Sequence, residues 1–205
     1  MKRLSERQCT EKRNPRHWHC PRDLRQGVGG CVGYAITHAL ISEPNSKQYG
    51  SYEAAMINSE AERIEGVAGI ARPGTSVLSG LNAAINLGYI VGYEVAESFD
   101  DLKAMLKRGP VVVGLNMFQG MDRPLPWCPE WIGITNKKKR IGTGHAMCAL
   151  GHDDRWFNGR FTYLQNSGGS EYGRGGIVYL GDGDMKFLFK TGNVVAYRPV
   201  LKETK

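Results

Sequence analysis

Arg25-Gln26-Gly27-Val28-Gly29-Gly30-Cys31-Val32-Gly33-Tyr34-Ala35 places a glycine-rich turn directly before a cysteine, and the residues from Tyr34 to Ile41 read as a helix. A thiol in the first turn of a helix sits among unpaired backbone N–H groups, at the positive end of the helix dipole. That setting favours the thiolate over the thiol. Two later stretches complete the pattern: Gly144-His145-Ala146 and Leu164-Gln165-Asn166-Ser167-Gly168. Thiol, imidazole and carboxamide follow one another in chain order.

Working outward, 205 residues suit one domain of two lobes, and 41% hydrophobic residues supply a sizeable core. No apolar run is long enough to span a bilayer. The start, Met1-Lys2-Arg3-Leu4-Ser5-Glu6-Arg7, is charged and lacks the apolar stretch of a signal peptide. The net charge of +7 is spread along the chain, with one tight run at Lys137-Lys138-Lys139-Arg140. No aromatic residues interleave that run, so it reads as a solvated loop, and no nucleic-acid partner is expected. The positive balance at most favours acidic partners. Five cysteines (Cys9, Cys20, Cys31, Cys128 and Cys148) are an odd count, which fits free thiols in a reducing compartment. Cytoplasmic placement follows as the expectation, or the host cytoplasm or virion for a phage-encoded chain. Cys9, His17, His19 and Cys20 lack the paired short spacings of zinc ligands, so no metal is expected there.

Residues 1–24 are polar, basic and proline-containing, and read as an N-terminal arm. Helices are expected over 31–42 and from Ser51 to Ile64 by apolar spacing. A third helix is expected after Ser76 as N-cap, running to about Leu87 with Gly88 closing it. A fourth is expected over Phe99–Gly109. Pro110–Leu115 reads as a buried strand, followed by a long irregular loop over 116–143. Strands are expected at His145–Leu150, Phe161–Gln165 and Gly176–Leu180, with weaker ones at Phe187–Phe189 and Val194–Tyr197. Cys148 lies in an apolar strand and reads as core. Trp127 and Trp131 fit either a core or an interface. Helices first and strands afterwards suggest an α+β protein in segregated layers, with a cleft that brings Cys31 to face His145.

The chemistry needs all three residues. A thiol attacks a carbonyl as thiolate, and an adjacent imidazole can hold it so and later protonate the leaving amine. The imidazole needs a third group to fix its tautomer, which an amide oxygen such as that of Asn166 supplies. The Cys31 backbone N–H and an upstream side-chain amide can stabilise the tetrahedral oxyanion. Taken singly, a glycine-flanked cysteine is more often a packed thiol, His145 a buried strand residue and Asn166 a turn former. The ordered combination carries the inference.

With these blocks, the chain resembles the papain-like (C1-type) cysteine peptidases, most closely their propeptide-less bacterial and phage branch. The match rests on residues 26–35, on Ala61-Glu62-Arg63-Ile64-Glu65-Gly66 with Gly74-Thr75-Ser76, on residues 144–154 and on residues 166–176. The resemblance implies a two-lobed α+β fold, with a helical lobe over about 25–110, an antiparallel β lobe over about 111–200 and the active-site cleft between them. It implies Cys31 as nucleophile, His145 as general acid/base, Asn166 as orienter and Gln26 as oxyanion donor. The implied activity is endopeptidase cleavage of protein or peptide substrates without a cofactor, with no membrane partner and no stated oligomeric state.

Three departures from the family pattern stand out. The turn from Gln26 to Cys31 is one residue short, which puts Arg25 where the usual spacing has the glutamine. Gly168 stands where a tryptophan usually shields the histidine–asparagine bond, so that bond is expected to be exposed and weakened. The cysteine that many secreted relatives pair just before the nucleophile block is absent. The first two departures define the alternative, a catalytically inactive protein-binding module on the same fold. A cell-wall peptidase of the NlpC/P60 type shares the Cys-then-His order but usually lacks the Asn-Ser-Gly turn. The arm upstream of Cys31 is placed to occlude the cleft, and unchanged activity on deleting residues 1–20 would exclude that role.

Overall fold

The computed structural model describes residues 17–27, 29–69, 74–124, 128–154 and 160–202. Cys9 and Trp127 lie outside that set, as does most of the N-terminal arm. Three helices come first: α1 (Cys31–Ile41), α2 (Ser51–Glu65) and α3 (Val77–Asn86). Local chemistry sets their ends. The Glu53 carboxylate accepts the Gly50 N–H at 2.7 Å, and the Ser76 hydroxyl accepts the Ser79 N–H at 3.1 Å, each satisfying an orphan donor. Gly88 follows α3 with a φ of 75°, as a closing glycine should. α1 packs against its neighbours at glycine distance. A Cβ on Gly33 would lie 2.1 Å from the Ala54 carbonyl oxygen, and one on Gly80 would lie 2.3 Å from a Val32 methyl.

The remaining elements are β1 (Gly92–Val95), α4 (Phe99–Leu106), β2 (Val111–Gln119), β3 (Trp131–Ile132), β4 (Asn136–Asp153), β5 (Phe161–Gln165), β6 (Ile177–Gly181), α5 (Asp182–Lys190) and β7 (Val194–Val200). The strands form one sheet in the order β1-β7-β2-β4-β5-β6-β3. Its pairs are antiparallel except β3 with β6. Period-two alternation divides the sheet between two cores. Val112, Ala146, Cys148, Phe161 and Tyr163 face α1, α2 and α3. Val111, Val113, Met147, Ala149 and Leu164 face the other way, onto Phe99 and Leu102 of α4 and Met185 and Leu188 of α5. The fold is α+β, as expected, with α4 and α5 covering the face opposite α1. Trp131 joins the first core edge-on to Phe161, with ring centroids 5.3 Å apart.

The described end of the arm packs onto this frame. The Trp18 backbone N–H donates to the Leu150 carbonyl at 2.9 Å, and its indole N–H donates to the Leu106 carbonyl at 2.8 Å.

Four expectations are corrected. The stretch 116–143 is not one irregular loop. β2 continues to Gln119 and β4 begins at Asn136, so the basic run lies inside a strand. Pairing of Phe118 with Arg140 and of Gln119 with Asn136 holds it there. Aromatic rings accept its cations: the Lys137 ammonium is 4.8 Å from the Phe187 ring centre and the Arg140 guanidinium 6.0 Å from that of Phe118. Phe187–Phe189 is helical, because Met185 and Leu188 bury one face of α5 and Asp182 and Asp184 occupy its first turn. β1 forms where no strand was expected, by pairing with β7. Finally, the cysteines are not all free. Cys20, Cys31 and Cys148 carry thiols, whereas Cys128 is fully buried and disulfide-bonded. The argument from free thiols to a reducing compartment therefore lapses. Cys148 is fully buried, as expected of core. Among the described residues, no helix is long and apolar enough to cross a membrane.

Candidate active site

α1 begins at Cys31, and its N-cap residue Gly30 has no side chain to accept the first N–H groups. β4 carries His145 opposite Leu115 of β2. Asn166 follows the end of β5. Helix start and strand thus meet across the cleft, whose lining holds both Cys31 and His145. His145 Nε2 lies 2.7 Å from Asn166 Oδ1.

The hydrogen-bond network fixes the roles of these atoms. Asn166 Oδ1 also accepts the Ser167 N–H at 2.9 Å, which identifies it as the amide oxygen. His145 Nε2 is therefore the donor to Asn166, and Nδ1 is the nitrogen left for Cys31. The Asn166 backbone is anchored by its N–H to the Gly176 carbonyl at 2.8 Å.

Burial is the largest influence on both partners and opposes charge on each. It pushes the Cys31 thiol up, but the hydrogen bond and positive charge of His145, with the N–H groups of Ala146 and Val32, bring it below its ordinary value. Burial likewise pushes His145 down, while hydrogen bonds from Cys31 and Asn166 and the thiolate charge raise it above its ordinary value. Thiolate and imidazolium therefore support one another.

Gln26 is tied to the asparagine turn from the other lobe. Its backbone N–H donates to the Ser167 carbonyl at 2.9 Å, and the Ser167 hydroxyl donates to its side-chain oxygen. Gln26 Nε2 makes no hydrogen bond among the described residues and remains a free donor. The shortened turn thus leaves Gln26 anchored beside the asparagine turn, whereas Arg25 is exposed and lies along Gly169.

The expectation that Gly168 leaves the histidine–asparagine bond exposed is corrected. Asn166 is 7% exposed and Ser167 1%. A Cβ on Gly168 would meet Tyr172 Cβ at 3.5 Å and Asn166 Nδ2 at 3.2 Å, so Gly168 lies between Tyr172 and the amide. Its hydroxyl reaches the Met121 carbonyl at 3.3 Å. Burial, with a smaller push from Asp122, raises it to about 12. Tyr172 was not legible as a site residue, because nothing local marks a tyrosine four residues past the turn.

His38 was also missed. It lies fully buried in α1, and its Nε2 accepts the Leu24 N–H at 3.0 Å, two residues before Gln26. Burial without a charged partner lowers it to about 4.

The cleft holding Cys31 and His145 has a volume of about 470 Å³, with Val77, Ala146, Val194 and Val195 on its apolar side. A larger hollow of about 640 Å³, between α4 and the end of β4, contains none of Cys31, His145 and Asn166. Among the described residues, no group of three or more His, Cys, Asp or Glu is placed to hold a metal ion.

No family model and no curated protein matches the chain in sequence. Solved structures do match in fold. Xylellain, a cysteine protease from Xylella fastidiosa, superposes with a TM-score of 0.70 at 19% identity, over 89% of this chain and 83% of that one. The Carica candamarcensis cysteine protease CMS1MS2, solved in complex with E-64, gives 0.62 at 14% identity, over 89% and 93%. The proform of the ragweed pollen allergen Amb a 11, a cysteine protease, gives 0.62 at 14%, over 88% and 61%. The class is thereby defined: this chain has the papain-like cysteine peptidase fold.

Proposed function

We propose that this protein is a cysteine endopeptidase. The carrying observation is the Cys31–His145–Asn166 relay, with a 2.7 Å bond from His145 Nε2 to Asn166 and opposite pKa shifts on thiol and imidazole. In this reading the Cys31 thiolate attacks the scissile carbonyl carbon. The electron pair moves to the carbonyl oxygen, stabilised by the Cys31 N–H and Gln26 Nε2. Collapse of the intermediate expels the amine, which takes the proton from His145 Nδ1 and leaves a thioester on Cys31. His145, now neutral, draws a proton from water, whose oxygen attacks the thioester. The acid leaves and the ion pair is restored. Asn166 holds the ring in one tautomer throughout. Both features that favoured an inactive module have counterparts: Gln26 is anchored despite the short turn, and Asn166 is buried despite Gly168.

The test is the rate of Cys31 alkylation by iodoacetamide against pH, in wild type and in His145→Ala. A rate that stays high below about pH 6 and collapses in the variant is expected. A rate that rises only near the ordinary thiol value of about 8.5, indifferent to His145, overturns the proposal.

A further inference from the structure

Beside the valines, the cleft lining includes the polar residues Asn116 and Asn193, with Gly192, and no acidic residue lines it among the described residues. Asn193 is 6% exposed. Its Nδ2 donates to the Thr191 carbonyl at 3.2 Å and to the Thr191 hydroxyl at 2.7 Å. Its Oδ1 accepts Asn116 Nδ2 at 2.9 Å and also an N–H of Arg140. Both donors and both lone pairs are used, so the amide is locked with its oxygen toward Arg140.

Arg140 is exposed, and this one bond engages one of its five N–H groups. No carboxylate pairs with it among the described residues. Asp184 is the acidic group near the run, and it faces Lys137 and the Ile134 N–H. A guanidinium bonded to Asn193 and set against the Phe118 ring is a pre-oriented fork with no carboxylate partner among the described residues, one hydrogen bond from the cleft lining.

We propose that Asn116, Asn193 and Arg140 form a subsite that takes an acidic side chain of the substrate, Asp or Glu, at one position flanking the scissile bond. The inference rests on the peptidase reading and names a substrate class for the same cleft. The free N–H groups of Arg140 receive the carboxylate, with charge assistance and fork geometry that an ammonium lacks. A lysine or arginine at that position meets a like charge and an amide oxygen already saturated, and is rejected.

The test uses the full chain and fluorogenic peptides carrying Glu, Gln or Lys at each flanking position in turn. At one position Glu is expected to exceed Gln about 10-fold or more in kcat/KM, as a charge-assisted bond to a preset partner requires, with Lys poorest. The Glu-over-Gln ratio falls toward unity in Arg140→Gln, stays intermediate in Arg140→Lys, and shrinks with added salt. Equal cleavage of Glu and Gln peptides at every position overturns the subsite and leaves the peptidase reading standing. A Glu preference that survives Arg140→Gln overturns it too. The same peptides titrated onto Cys31→Ala by fluorescence polarisation separate the two ideas. Preferential binding of Glu peptides that wild type never cuts supports the subsite and overturns the peptidase reading. Binding without charge preference overturns the subsite.

Discussion

His38 and His145 lie in different elements, α1 and β4, and the same physical force acts on both with opposite results. Burial opposes the charged form of each ring. In α1 nothing answers it, and His38 is pushed down to about 4 and serves as a neutral acceptor for the Leu24 N–H. In β4 a thiolate and an amide oxygen answer it, and His145 rises. The difference lies in the partners each ring has. One histidine positions the chain that leads to Gln26, and the other is the one that the proposed function uses to move protons.

The comparison can be broken at three places. Gln26→Ala removes the free donor of the α1 side and should lower kcat by about 10²–10³-fold. Substrate binding should change little, which steady-state kinetics on one peptide will check. An unchanged kcat would remove Gln26 from the site.

His38 predicts an acid limit to stability. Its folded-state value of about 4 lies below the ordinary 6.5, so between these values the unfolded chain binds the extra proton. The stabilisation from the neutral ring is complete above pH 6.5 and is lost as pH falls through about 4, amounting to about 3 kcal/mol. Urea unfolding of wild type at pH 7.5 and 4.5 should show most of this drop. His38→Leu should be weaker than wild type at pH 7.5, by about 1–3 kcal/mol for the orphaned Leu24 N–H, and this gap should close or reverse at pH 4.5, where only wild type has a ring to protonate. An equal drop would assign the acid limit to other groups.

Tyr172 sharpens the β4 side. Tyr172→Ala opens the asparagine amide to water and should cut kcat/KM by about 10-fold. It should also move the His145 value, seen as a shift of the alkaline limb of the pH–rate profile. Tyr172→Phe keeps the ring and should restore most of both. If Phe fails as badly as Ala, the hydroxyl contact to Met121 is what matters, and shielding is not.

The comparison also explains what could be read in advance. Helices on both faces of the sheet are announced by residues that touch them locally, such as Ser76 and Ser98, whose hydroxyls accept N–H groups three residues on. The cysteine, histidine and asparagine were legible because their chemistry is tied to residue type. The basic half of β4 was not, because its apolar partners Phe118 and Phe187 are distant in sequence and a lysine run shows no alternation. α5 read as strand because Phe187-Leu188-Phe189 is β-prone, whereas burial at Met185 and Leu188 follows helical spacing. Tyr172 and His38 act through space, as does the Ser167 bond to Gln26, and no local spacing marks any of them.

That last bond has a mechanical consequence. Gln26 is joined to Ser167 through both backbone and side chain, and Asp23 accepts the Gln165 amide at 3.2 Å nearby. A fluctuation that parts the two lobes must break these bonds, and it separates Cys31 from His145 in the same movement. A half-opened molecule keeps a thiol but no relay and no fixed oxyanion donor. On the proposed peptidase reading, loosening of the fold and loss of hydrolytic power are one event, and a partly unfolded copy is expected not to attack its neighbours.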